Sequence, residues 1–100
     1  MKAKAIRMSE RDNVATAMSD LSEGERVVVK DGEEVKVTVS RSIPFGHKFA
    51  IRPIAKGEEV VKYGEVIGRA VADIKKGDHV HVHNIESLRG RGDIASGAGK

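Results

Sequence analysis

Three stretches of this 100-residue chain repeat one short pattern: LSEGERV from Leu21, IAKGEEV from Ile54 and IKKGDHV from Ile74. Each sets an aliphatic residue, two spacers, a glycine, an acid, a spacer and a valine in order. Glycine adopts positive φ without steric cost, so each copy predicts a tight turn that returns the chain into a strand. A chain punctuated in this way folds as a compact, mainly β knot of short strands joined by similar turns. The unequal offsets between copies argue against a solenoid, whose period would be regular.

Between the first two copies, Val27 to Lys30, then Asp31-Gly32, then the alternating Val35, Val37 and Val39 predict a hairpin closed by an Asp-Gly turn. Pro44 and Pro53 belong at strand entries or edges, since neither can donate a ladder hydrogen bond. One short amino-terminal helix is expected from Asp12 to Leu21. Val14, Ala17, Met18 and Leu21 fall at i, i+3, i+4 and i+7 behind an aspartate that can cap it. From Arg89 onward the sequence RGRGDIASGAGK has nothing to bury, so the domain is read as residues 1–88 and residues 89–100 as a flexible glycine-rich tail.

One hundred residues make one domain whose core is just large enough to fold alone, which makes help from a second chain or domain an expectation for any deep active site. The apolar residues are chiefly Val, Ile and Ala, with Phe45, Phe49 and Tyr63 the only aromatics, a composition suited to tight β packing. Without cysteine there are no disulfides, thiolate nucleophiles or thiolate metal sites; any metal ligand is His, Asp or Glu. Neither a signal peptide nor a bilayer-spanning segment is legible, so a cytoplasmic protein is expected, with no membrane partner. The 18 basic and 15 acidic residues interleave, giving a net charge of +3 without a basic stripe, and few rings are available for base stacking. These features speak against nucleic acid and fit a small anionic ligand or an acidic partner.

Chemistry concentrates in two places. In HVHVHN, residues 79–84, the period of two puts His79, His81 and His83 on one strand face and Val80 and Val82 on the other, with successive imidazoles roughly 7 Å apart at Cα. Two of them can converge on a metal or straddle an anion, or the strand can simply face solvent. Asn84 follows, either to bond substrate hydroxyls or to cap a turn. In Pro44-Phe45-Gly46-His47-Lys48, a rigid residue and a flexible one precede a His-Lys pair that can bind a carboxylate and shuttle a proton. Lys62-Tyr63-Gly64, followed by Gly68, offers a cation, a phenol and close backbone approach; Tyr63 can equally be a core ring. Neither a serine nucleophile elbow nor a phosphate-binding glycine loop occurs. What remains is acid-base or metal-assisted work on an anionic substrate.

These residues carry a resemblance. DNVATAM at Asp12, the run IPFGHKFAIRPIAKGEEVVKYGEVIGRAVADIKKGDHVHVHN from Ile43 to Asn84, and ESLRGRGD resemble the amino-terminal SAF domain of altronate and galactarate dehydratases. The resemblance implies a β-clip architecture. It also implies a part in removing water from a hexonate or hexarate sugar acid to give a 2-keto-3-deoxy product. Such an enzyme uses a divalent metal such as iron(II), expected to sit mainly on a large catalytic dehydratase subunit. The chain looks like the version of this domain that forms a separate small subunit, inactive without its large partner. The small subunit of sulfolactate sulfo-lyase is similar, sharing GHK, KYG and HVHN; DNVATAM and ESLRGRGD favour the sugar-acid branch.

On this reading His47, His81 and His83 are the expected catalytic residues, and Lys48, Lys62, Tyr63 and Asn84 the expected substrate-binding residues. The metal ligands are left open. Two other classes stand beside it: a non-catalytic module that binds a sugar acid or a protein partner, and metal storage or sensing through His79, His81 and His83. The lyase reading requires imidazole and ammonium groups distant in sequence to meet in one anion-sized hollow.

Overall fold

The computed structural model describes residues 3–31 and 33–87, and every regular element in them is a strand. In chain order these are β1 (Ala5–Ile6), β2 (Val14–Ala17), β3 (Arg26–Asp31), β4 (Glu33–Thr38), β5 (Lys48–Ala50), β6 (Glu59–Lys62), β7 (Glu65–Ala70), β8 (His79–Val80) and β9 (Ile85–Ser87). They form a six-stranded sheet, β4-β3-β1-β2-β5-β8, and a three-stranded sheet, β6-β7-β9. Only β1 and β3 pair in parallel. The mainly β expectation holds, and no helix among the described residues is long and apolar enough to cross a membrane. The expected tail, residues 89–100, lies outside the described residues.

The hairpin stands where the alternating valines put it, with β3 and β4 in register from Arg26↔Thr38 to Asp31↔Glu33; Asp31 is the last residue of β3 and pairs with Glu33 instead of lying in the expected turn, and Gly32 lies outside the described residues. The repeated turns are one device. Gly24, Gly57 and Gly77 have φ of 81°, 90° and 92°. The aliphatic residues that open the copies form isolated bridges, Leu21↔Ile43 and Ile54↔Ile74. Pro44 and Pro53 stand next to two of these bridge residues, outside the strands.

The amino-terminal helix does not form. Val14 to Ala17 is β2, Met18 is 52% exposed, and Asp12 and Asn13 are buried. The helical spacing of Val14, Ala17, Met18 and Leu21 is overridden because β2 lies between β1 and β5 and is packed on both faces. Ala15 and Ala17 pack with Phe49 and the hairpin valines, and Val14 packs with Ala50, Val60 and Val80. The aspartate does satisfy backbone N–H groups, but those of a turn and of a distant loop. Its carboxylate accepts from Met8 N, Ser9 N and Gly64 N, the last at 2.7 Å.

Asn13 joins the two sheets. Its amide donates to Glu59 O (2.9 Å) and accepts from Val61 N (2.8 Å), while its own N–H donates to Val61 O and its carbonyl accepts from Ile51 N. These contacts meet the bulge between Val60 and Val61, where β6 breaks register with β7. The side chain thus supplies the pairing that the bulge removes. Within the second sheet β7 and β9 approach closely at Gly68, where an added Cβ would stand 2.6 Å from the Glu86 carbonyl oxygen.

Candidate active site

His47 sits at the end of a fourth turn of the same kind, Ile43-Pro44-Phe45-Gly46-His47. Gly46 has φ 85°, and His47 N donates to Pro44 O as Glu25, Glu58 and Asp78 donate in the other three. In those three the acid also caps its turn, accepting from Ser22 N (2.9 Å), Ala55 N (2.7 Å) and Lys75 N (3.0 Å). Proline at position 44 has no N–H to be capped. The acid is dispensable there, and an imidazole takes its place. The sequence reading recognised three copies and missed this one, whose signal was aliphatic-Pro-x-Gly.

The histidine segment is a strand for two residues only. Val80 is fully buried, but the chain then turns and Val82 is 80% exposed, so HVHVHN is not one alternating strand. Asn84 makes the turn: its side chain accepts from His81 N (2.9 Å) and donates to His79 O (2.8 Å), while Asn84 N donates to His81 O. Both ends of its amide are thus engaged in shaping the histidine loop.

Register does the rest. β5 pairs with β8 through Phe49↔His79 and Lys48↔Val80, which brings residue 47 beside residues 79 and 81. Nδ1 of His47 and Nε2 of His79 share a hydrogen bond of 2.9 Å. The rings of His47, His79 and His81 stack at 4.6–5.3 Å between centroids and within 22° of parallel. His83, on the exposed side, reaches the cluster through His79 at 5.5 Å. His79, at the centre, was absent from the residues the sequence singled out for catalysis. Nothing local marks it, because its neighbours come from the β5 pairing.

Burial, followed by the neighbouring imidazoles and Arg41, pushes the His79 pKa down to about 4. His81 is lowered by burial, then by His47, Lys48 and His83. Lys48 stands in a cross-strand row with Thr16 and Val80, so its stem enters the space between the sheets. Burial and then the Lys62 ammonium lower its pKa.

Lys48, Lys62 and His81 line one concavity of about 280 Å³ whose apolar wall includes Ile67, Val82 and Ile85. Tyr63, next in sequence to the lining Lys62, is 46% exposed rather than in the core. Its hydroxyl donates to Thr16 Oγ1 (3.3 Å), and the Lys62 ammonium sits 5.0 Å from its ring centroid. Tyr63 and Gly64 both have positive φ, 54° and 78°, as a two-residue hairpin turn between Lys62 and Glu65 requires. The structure thus brings His47, His81, Lys48 and Lys62 together, with Tyr63 and His83 on the margins. Such a constellation can hold a carboxylate between ammonium groups and pass a proton through imidazoles. Its three clustered ring nitrogens can also hold a metal.

The sequence that builds this arrangement is similar to sequences of known proteins. Residues 3–88 match the family described as altronate/galactarate dehydratase SAF domain. The chain is 49% identical over 79 residues to altronate dehydratase of Escherichia coli K12, which is 79% of this chain and 15% of that protein. It is 41% identical over 63 residues to the alpha subunit of (2R)-sulfolactate sulfo-lyase of Paracoccus pantotrophus, 63% of this chain and 94% of that subunit. A corresponding alpha subunit from Chromohalobacter salexigens is 45% identical over 62 residues, 66% of its length. The chain spans only 15% and 16% of the altronate dehydratases of E. coli and Bacillus subtilis. With residues 3–88 matched from end to end, the chain belongs to the altronate/galactarate dehydratase SAF domain family.

Proposed function

We propose that this chain is the small, substrate-orienting subunit of a sugar-acid hydro-lyase of the altronate or galactarate dehydratase type, completed by a larger catalytic polypeptide. One observation carries the reading: the Lys48 and Lys62 ammonium groups and the His81 imidazole border one anion-sized hollow, and His47, from a distant segment, stacks on His81 behind it. The likeness to altronate dehydratase supports the substrate class, and the likeness to a lyase alpha subunit supports the division of labour.

Elimination begins with removal of the proton on the carbon next to a carboxylate, which places enolate-like charge on the carboxylate oxygens. Lys48 and Lys62 hold those oxygens at the concavity. An imidazole among His47, His81 and His83 handles the proton, and the β-hydroxyl departs as water to leave an enol that ketonises to the 2-keto-3-deoxy acid. Tyr63 borders the hydroxyl-bearing chain, and Asn84 keeps the histidine loop in shape. The clustered ring nitrogens of His47, His79 and His81 would hold a divalent cation, which would supply further positive charge to the carboxylate. The hollow is shallow and open, so the larger polypeptide closes it and excludes water.

The test is dehydration of altronate and galactarate by the chain co-expressed with a large dehydratase-type subunit. Lys48→Ala and His83→Ala should each lower kcat/KM by about a hundredfold. Unchanged kinetics in both variants would remove the assignment. A second reading, the small subunit of a carbon–sulfur lyase acting on sulfolactate, is favoured by the 94% coverage of the Paracoccus subunit. Release of sulfite from sulfolactate by the same pair, without sugar-acid dehydration, would establish it instead.

A further inference from the structure

We propose that His47, His79 and His81 together bind one divalent transition-metal ion, held by this chain alone. One ring nitrogen from each lies within 4.8 Å of the other two, and the closest pair is already 2.9 Å apart. Two imidazole nitrogens at that distance need a proton between them. A metal ion takes the proton's place. With bonds of about 2.0–2.1 Å in a tetrahedral shell, ligand nitrogens stand roughly 3.3 Å apart. The first pair opens slightly and the third nitrogen closes in.

The rings lie 12–22° from parallel, so aiming three lone pairs at one point requires ring rotations on a fixed backbone. The backbone is fixed at all three positions: by the Pro44–Gly46 turn at His47, by pairing with Phe49 at His79, and by the Asn84 side chain at His81. The His83 ring lies against His79 at 5.5 Å but contributes no nitrogen to the clustered three, so it stays outside the ligand set.

Donor chemistry narrows the ion. Three imidazoles without a carboxylate suit zinc, iron, nickel or copper and do not suit magnesium or calcium. Three protein ligands leave a coordination position open, as in sites that act on a bound ligand. Lys48 and Arg41 lie near enough to oppose a cation, and an anion shared between the ion and Lys48 offsets that opposition. This deepens the proposed function: the ion expected on the companion polypeptide is placed on this chain, and His83 is left to handle the proton. Binding is nonetheless measured without a companion, so it stands or falls separately from lyase activity.

The experiment is calorimetric titration of the chelator-treated full chain with Zn²⁺ and, in parallel, Co²⁺ followed by visible absorption. One ion per chain is expected, with cobalt bands of tetrahedral nitrogen coordination. His79→Gln and His47→Ala, checked for fold by circular dichroism, should each weaken binding at least about tenfold, while His83→Ala and Lys48→Ala retain it. The inference is overturned by an absence of saturable binding at neutral pH. It is equally overturned if His83→Ala weakens binding as much as His79→Gln does.

Discussion

At position 47 the chain departs from its own turn pattern, and the departure is chemical. Where Glu25, Glu58 and Asp78 each accept a turn N–H, Pro44 removes that N–H and releases position 47 for an imidazole. Glu58→Ala should therefore cost about 1 kcal/mol in denaturant unfolding, the worth of one such hydrogen bond. A second residue-scale prediction concerns His79. Its imidazole titrates near 6.5 when unfolded and near 4 when folded, so between those values the unfolded chain binds a proton that the folded one does not. Stability attributable to His79 is fully present above about pH 6.5 and declines as pH falls toward 4. Comparing metal-free chain with His79→Gln across that range should show the variant losing less. Parallel pH profiles would mean that His79 does not carry the difference.

Among elements, the join between the sheets rests on Asn13 at the β6 bulge. Asn13→Ala leaves the Val61 N–H and the Glu59 carbonyl without their side-chain partner at a buried position, so a loss of about 2–4 kcal/mol is expected. Asn13→Asp, which keeps the acceptor and loses the donor, should fall between the two in urea midpoint. The turns permit a similar comparison. Gly57 and Gly77 share nearly the same φ, 90° and 92°, but a Cβ at Gly57 meets open space whereas one at Gly77 collides with the Thr38 carbonyl oxygen. Gly77→Ala should be the costlier by about 1–3 kcal/mol, the usual range for overpacking; equal losses would show that backbone strain alone matters. The turns and the β3–β4 hairpin were legible because their signals are local: Gly at positive φ, Asp-Gly between alternating valines. β2 was misread because four residues at helical spacing say nothing of sheets on both faces. HVHVHN was misread as one strand because the Asn84 side chain ends it.

For the whole molecule, the functional consequence of folding is that His47 meets His79 and His81 across more than thirty residues of sequence. A metal ion there would tie the β5 turn to the β8 loop and, binding only the folded chain, stabilise it. At Zn²⁺ a hundredfold above the dissociation constant the gain should be about 2.7 kcal/mol, read as a rise in melting temperature that His79→Gln abolishes. The sequence by itself determined the turn glycines, the hairpin, the mainly β character and which side chains were chemically competent. All of these depend on neighbours within a few residues. Only the tertiary structure decided that His79 is the centre of the cluster, that Lys48 and Lys62 share one hollow with His81, and that Asp12 and Asn13 hold loops and sheets together. The Phe49↔His79 register and the contact between the two sheets are set by burying valine, isoleucine and alanine faces from distant segments at once, a non-local condition that no single stretch of sequence expresses.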